Sequence, residues 1–138
     1  YAGLMMNPKT VKLCWRLLAL LYLGAVAYLC FGHLSPDESL PRAIFGIPSD
    51  KIAHFGMFFP FPIIAIYAFH NSKGRPGRFF VFLAISYFLG MMLAMGTELI
   101  QGTTDYRSSD MLDLVADSLG LMTGCVTVTV IKSFGGKW

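Results

Sequence analysis

Residues 79–101 read FFVFLAISYFLGMMLAMGTELIQ, apolar from Phe79 until the first charge at Glu98. At about 1.5 Å per residue, such a run as a helix crosses the ~30 Å hydrocarbon core of a bilayer. Lipid offers backbone groups no water, so a helix that satisfies them internally is the expected form. Three further runs of similar character cover residues 12–32, 51–69 and 109–132. The reading is an all-α, polytopic membrane protein in which four transmembrane helices form one bundle over residues 1–138.

Composition supports this class. Of 138 residues, 55% are hydrophobic and 14% charged, and the mean hydropathy is +0.59. A soluble domain of this size keeps too much surface exposed to hide that apolar content. The first run is too long for a signal-peptide core and lacks an A-x-A cleavage site, so it is expected to stay as a spanning helix. Arg16, one turn inside it, can snorkel to the interface. Cys14, Cys30 and Cys125 all lie in apolar runs and read as small hydrophobes, with neither a disulfide framework nor CxxC metal spacing.

The connections carry their own signals. Pro36, Pro41 and Pro48 punctuate the first, and residues 44–47 are suited to the membrane interface. Residues 71–78 form a short basic turn. Ser49 or Asp50 is placed to cap the second helix, and Ser108 or Ser109 the fourth. Pro60 and Pro62 remove hydrogen-bond donors inside the second helix, which predicts a kink.

Charge sets the orientation. Eight of the eleven lysines and arginines flank the runs: Lys9, Lys12, Arg16, Lys73, Arg75, Arg78, Lys132 and Lys137. The net charge of +3 is therefore topological information and not a nucleic-acid surface. The positive-inside rule puts both termini and the basic turn in the cytoplasm. The eight acidic residues then face outward, and a bacterial inner membrane is the expected location.

On that outward side the polar residues fall into register. Asp50 and His54 are four apart, and Glu98 and Gln101 three apart, so each pair shares a helix face. Asp110, Asp113 and Asp117 form one stripe that Gly120 and Gly124 continue. With Asp110 at the interface, Asp117 lies about 10 Å deeper, His54 about 6 Å and Glu98 about 5 Å. Ionisable groups at that depth cost on the order of 2–3 kcal/mol each unless paired or hydrated, so the helices bearing them should face one another. Asp50, Glu98, Asp110, Asp113 and Asp117 outnumber Lys51, Arg107 and a protonated His54. Protons held on carboxylates, or a bound cation, would restore the balance.

Asp50-Lys51-x-x-His54, Glu98-x-x-Gln101 and Arg107-x-x-Asp110-x-x-Asp113-x-x-x-Asp117-x-x-Gly120-x-x-x-Gly124 together resemble the signature of the VanZ-like family over residues 50–124. The resemblance implies a small polytopic membrane protein whose founding member is linked to teicoplanin resistance, a phenotype without a mechanism. Asp117 departs from the pattern, since the family more often carries Asn there.

Two functional readings follow. In the first, the site opens at headgroup level and binds or modifies a cell-envelope component, lipid-linked or peptidoglycan-related. An enzymatic version uses His54 or Glu98 as acid or base, with Asp110, Asp113 and Asp117 holding a divalent cation and Arg107 neutralising an anionic headgroup. In the second, the chain is a non-enzymatic accessory subunit of a larger membrane complex. The polar cluster, including Asp50, Lys51 and Gln101, then fixes helix register. Lys51 also reads as an interfacial anchor, Glu98 with Arg107 as an ion pair, and Gly120 and Gly124 as a close-packing face. Haem and nucleotide cofactors are not expected. His33, His54 and His70 form no ligand pair, and the chain has no P-loop, GxGxxG or Ser-His-Asp elbow. Met91, Met92 and Met95, with the aromatics of residues 79–88, read as core and lipid contact.

Overall fold

The computed structural model describes residues 7–32, 42–71, 75–105 and 109–135. Within them lie α1 (Pro8–Phe31), a hairpin of β1 (Ala43–Ile44) and β2 (Ile47–Pro48), α2 (Ser49–Phe58), α3 (Pro60–Phe69), α4 (Pro76–Gln101) and α5 (Met111–Gly135). Four helical stretches have the length and composition to cross a membrane: α1, Ser49–Phe69, α4 and α5. The four expected spans are all present.

Two spans begin earlier than their apolar runs because a proline opens each. Asn7 Oδ1 accepts the Lys9 N–H at 3.0 Å, which caps α1 with Pro8 at its first position. Pro76 opens α4 in the same way. Proline is well placed at such a start, where its missing N–H has no partner to lose.

The second span is interrupted at Phe59, just before Pro60, where α2 gives way to α3. Pro60 and Pro62 leave the Gly56 and Phe58 carbonyls without the usual helical donor. Nearby, the Tyr22 hydroxyl of α1 donates to the Met57 carbonyl.

Two expected caps are corrected. Pro48 is the N-cap of α2 and makes no side-chain cap bond, so neither Ser49 nor Asp50 fills that role. At α5, Asp110 takes the role expected of Ser109: its Oδ1 accepts the Leu112 N–H at 2.9 Å. Asp110 has the geometry to reach the second helical N–H. Ser108 lies outside the described residues.

Helix α5 packs along α2, α3 and α4, while α1 lies against α3 and touches α4 more lightly. Glycine lets α5 approach. A Cβ on Gly120 would come 2.4 Å from the Phe55 carbonyl oxygen, and one on Gly124 would come 2.2 Å from that of Phe59. Two apolar clusters fill the bundle, one around Phe58, Ala94 and Leu121, the other around Ile66, Phe79 and Val128. Met92, Met95, Phe80 and Phe88 face outward.

The two ends of the bundle differ chemically. At one, Lys12 donates to the His70 carbonyl at 3.3 Å and to Asn71, and Arg16 Nε to the Ala68 carbonyl at 3.4 Å. Lys132 Nζ lies 5.4 Å over the Tyr67 ring, which also stacks on Trp15 at 4.8 Å between centroids. The opposite end gathers the start of α2, the end of α4 and the start of α5, with the hairpin beside it. The turn residues Phe45 and Gly46 both have positive φ, at 52° and 80°, the mark of a tight primed turn. Phe45 is fully exposed at its tip.

Candidate functional site

The stripe on α5 keeps to one face, as its spacing predicts, and that face meets α2. Asp113, Asp117, Gly120 and Gly124 are all buried. Opposite them, α2 presents Lys51 and His54, three residues apart. Lys51, read from the sequence as an interfacial anchor or a member of the polar network, is turned toward the carboxylates. Its Nζ contacts Asp50 Oδ2 at 3.3 Å, Asp110 Oδ2 at 2.5 Å and Asp113 Oδ1. The spacing puts Lys51 and His54 on one face of the helix but does not say which neighbour that face meets.

His54, only 1% exposed, sits below this hub. Its Nδ1 lies 2.9 Å from Asp117 Oδ1, and its Nε2 lies 3.6 Å from Asp113 Oδ2. Its partners are thus aspartates of the last helix and not Asp50, with which it shares a face of α2. Asp50 stays at the rim, its side chain half-exposed.

Helix α4 contributes the third wall. Glu98 is buried, and its Oε2 accepts the Asp110 backbone N–H at 3.0 Å, which fastens the start of α5 to the end of α4. Arg107, expected to pair with Glu98 and to meet an anionic headgroup, lies outside the described residues. One turn along, Gln101 Nε2 donates to the Cys30 carbonyl at 3.0 Å. That bond satisfies a carbonyl in the last turn of α1, where helical partners run out.

The cluster is graded from rim to interior. Asp50 and Asp110 are partly exposed, Lys51 lies between, and His54, Glu98, Asp113 and Asp117 are buried. The Lys51 ammonium beside it, helped by the Leu112 N–H, holds the Asp110 carboxyl below its ordinary range. Five carboxylates thus face one ammonium among the described residues. Three buried atoms here find no hydrogen-bond partner: His54 Nε2, Glu98 Oε1 and Asp117 Oδ2.

The candidate ligands regroup accordingly. One potential ligand atom each from His54, Glu98 and Asp117 lies within 4.8 Å of the others, the grouping of that kind found among the described residues. Of the aspartate trio expected from the sequence, only Asp117 belongs to it, because Asp110 and Asp113 are engaged by Lys51. The sequence could not supply this grouping, since it depends on how α2 and α4 are rotated toward α5.

Fold and site together define a small polytopic membrane protein with a buried, acid-rich polar centre at one end of its bundle. Comparison with protein families matches residues 19–132 to VanZ/LLP1, and the chain belongs to that family. It is also similar to an uncharacterized protein of Schizosaccharomyces pombe, at 29% identity over 72 residues. That match covers 52% of this chain and 41% of the yeast protein, so the similarity spans well under half of the relative's length. No solved structure matches.

Proposed function

We propose that the centre around His54, Glu98, Asp113 and Asp117 receives the polar head of a lipid-borne envelope component, entering from the headgroup layer of the outward leaflet. One observation carries this reading. His54 Nε2, Glu98 Oε1 and Asp117 Oδ2 are buried and make no hydrogen bond, and these three side chains bring candidate ligand atoms within 4.8 Å of one another. A network that served only to fix helix register would be expected to satisfy its own members, because an orphaned buried group costs about 1–3 kcal/mol.

The graded burial supports the same route. A headgroup would first meet Asp50 and Asp110, then Lys51, then the enclosed residues. Orientation follows from the basic end of the bundle, which belongs in the cytoplasm by the positive-inside rule.

The test is complementation in a deletion host, with glycopeptide susceptibility and the membrane-lipid profile read by mass spectrometry. His54→Gln and Asp113→Asn should each abolish the difference made by the wild-type chain, at unchanged membrane abundance. Full activity in both variants overturns the proposal. So does stoichiometric co-purification with other subunits if both substitutions dissolve the assembly and leave purified lipid binding unchanged.

A further inference from the structure

We infer that His54, Glu98 and Asp117 hold a divalent transition-metal ion. The inference deepens the reading above and rests on it for the ion's use, though not for its binding. The three side chains come from α2, α4 and α5, and each is more than nine-tenths buried. Their candidate ligand atoms lie within 4.8 Å of one another. Metal–ligand bonds of about 2.0–2.2 Å place neighbouring ligands on a tetrahedral ion roughly 3.4 Å apart, so the triangle needs only a small inward closure.

The unpartnered atoms make the case specific. Glu98 uses Oε2 for the start of α5 and leaves Oε1 free of any hydrogen bond. Asp117 uses Oδ1 toward His54 and leaves Oδ2 likewise. A His54–Asp117 hydrogen bond alone would account for one oxygen and leave these two. Lys51 does not fill the gap, because its ammonium is already shared by three aspartates.

Donor chemistry then narrows the ion. One imidazole and two carboxylates suit Zn²⁺ or Mn²⁺ better than Mg²⁺ or Ca²⁺, which favour all-oxygen shells. Whichever nitrogen of His54 binds, the other faces a carboxylate, Asp113 at 3.6 Å or Asp117 at 2.9 Å. Such a partner fixes the tautomer and orientation of a ligating imidazole. Three protein ligands leave a coordination position open, the arrangement of reactive rather than structural sites. An anionic headgroup oxygen could take that position. This also explains how so acidic a pocket could accept an anion.

The experiment uses the full chain purified in detergent, stripped with chelator and dialysed against Zn²⁺, Mn²⁺, Mg²⁺ or Ca²⁺ separately. Elemental analysis should find about one Zn²⁺ or Mn²⁺ per chain, accompanied by a rise in Tm. His54→Gln, Glu98→Gln and Asp117→Asn should each weaken binding at least about tenfold. The variant Asp105→Asn, in the exposed turn after α4, should bind like wild type. If a site variant does not fold, the wild-type stoichiometry and the two remaining variants decide. Absence of a stoichiometric ion, a site filled only by Mg²⁺ or Ca²⁺, or binding indifferent to all three substitutions overturns the inference. A wild type that binds no ion yet still needs His54 and Asp113 for its envelope effect refutes the metal alone. Normal metal binding with no dependence of that effect on His54 or Asp113 refutes the function alone.

Discussion

Asp110 joins three elements through a single residue. Its backbone N–H donates to Glu98, its Oδ1 caps α5 through Leu112, and its Oδ2 meets Lys51. Lys51, then the Leu112 N–H, hold its carboxyl below the ordinary range. The sign of the linkage follows. A group whose folded pKa is depressed stabilises the fold fully above its unfolded pKa, about 3.9, and loses that contribution as pH falls through the folded value. Asp110→Asn keeps the capping oxygen and removes the charge. Its Tm in detergent should therefore sit below wild type by a constant margin from neutral pH to about 5, and the margin should narrow below about 3.9. A margin that stays constant into strong acid would show that the Lys51 contact contributes nothing. The effect should be small, because Asp110 is partly exposed and solvent screens the pair.

At the scale of elements, the bundle depends on how closely α5 can lie against the interrupted α2–α3 span. A methyl on Gly124 would sit 2.2 Å from the Phe59 carbonyl oxygen and 2.7 Å from Pro62 Cγ, and neither a backbone nor a proline ring can move aside cheaply. Gly124→Ala should destabilise the protein by about 1–3 kcal/mol in denaturant-driven unfolding in mixed micelles. Gly96→Ala, with nothing within 4 Å, should fall within about 0.5 kcal/mol of wild type. This interface was legible in the chain. The 3-and-7 spacing of Asp110, Asp113 and Asp117, continued by Gly120 and Gly124, defines one face whatever lies opposite. The spans were legible too, since lipid demands long apolar helices. Three things were not. Pro76 reads as part of the basic turn and Pro8 lies outside the first apolar run, yet each opens a helix. The hairpin turns on Phe45 at positive φ, a conformation its sequence does not advertise. Lys51 could point to lipid, water or protein from its position, and the rotation of α2 against α5 decides among them. That same rotation assembles His54 with Glu98 and Asp117.

The whole molecule is polarised along its axis, with Lys12, Arg16, Arg75, Arg78 and Lys132 toward one end and the carboxylate centre at the other. The positive-inside rule orients such a chain by the basic residues of its short connections and ends, largely regardless of its acids. The basic end should therefore be cytoplasmic and the acidic centre should open on the opposite side. Asn71, beyond α3, and Asp105, beyond α4, are both exposed and mark the two ends. With Cys14, Cys30 and Cys125 replaced by serine or alanine, single cysteines at these positions report sidedness. In intact cells a membrane-impermeant maleimide should label Asp105→Cys and spare Asn71→Cys, and permeabilisation should equalise the two. The reverse pattern would place the acidic centre in the cytoplasmic leaflet. In that case the headgroup it receives would have to come from the inner face, and the proposed route for an outward envelope component would be lost.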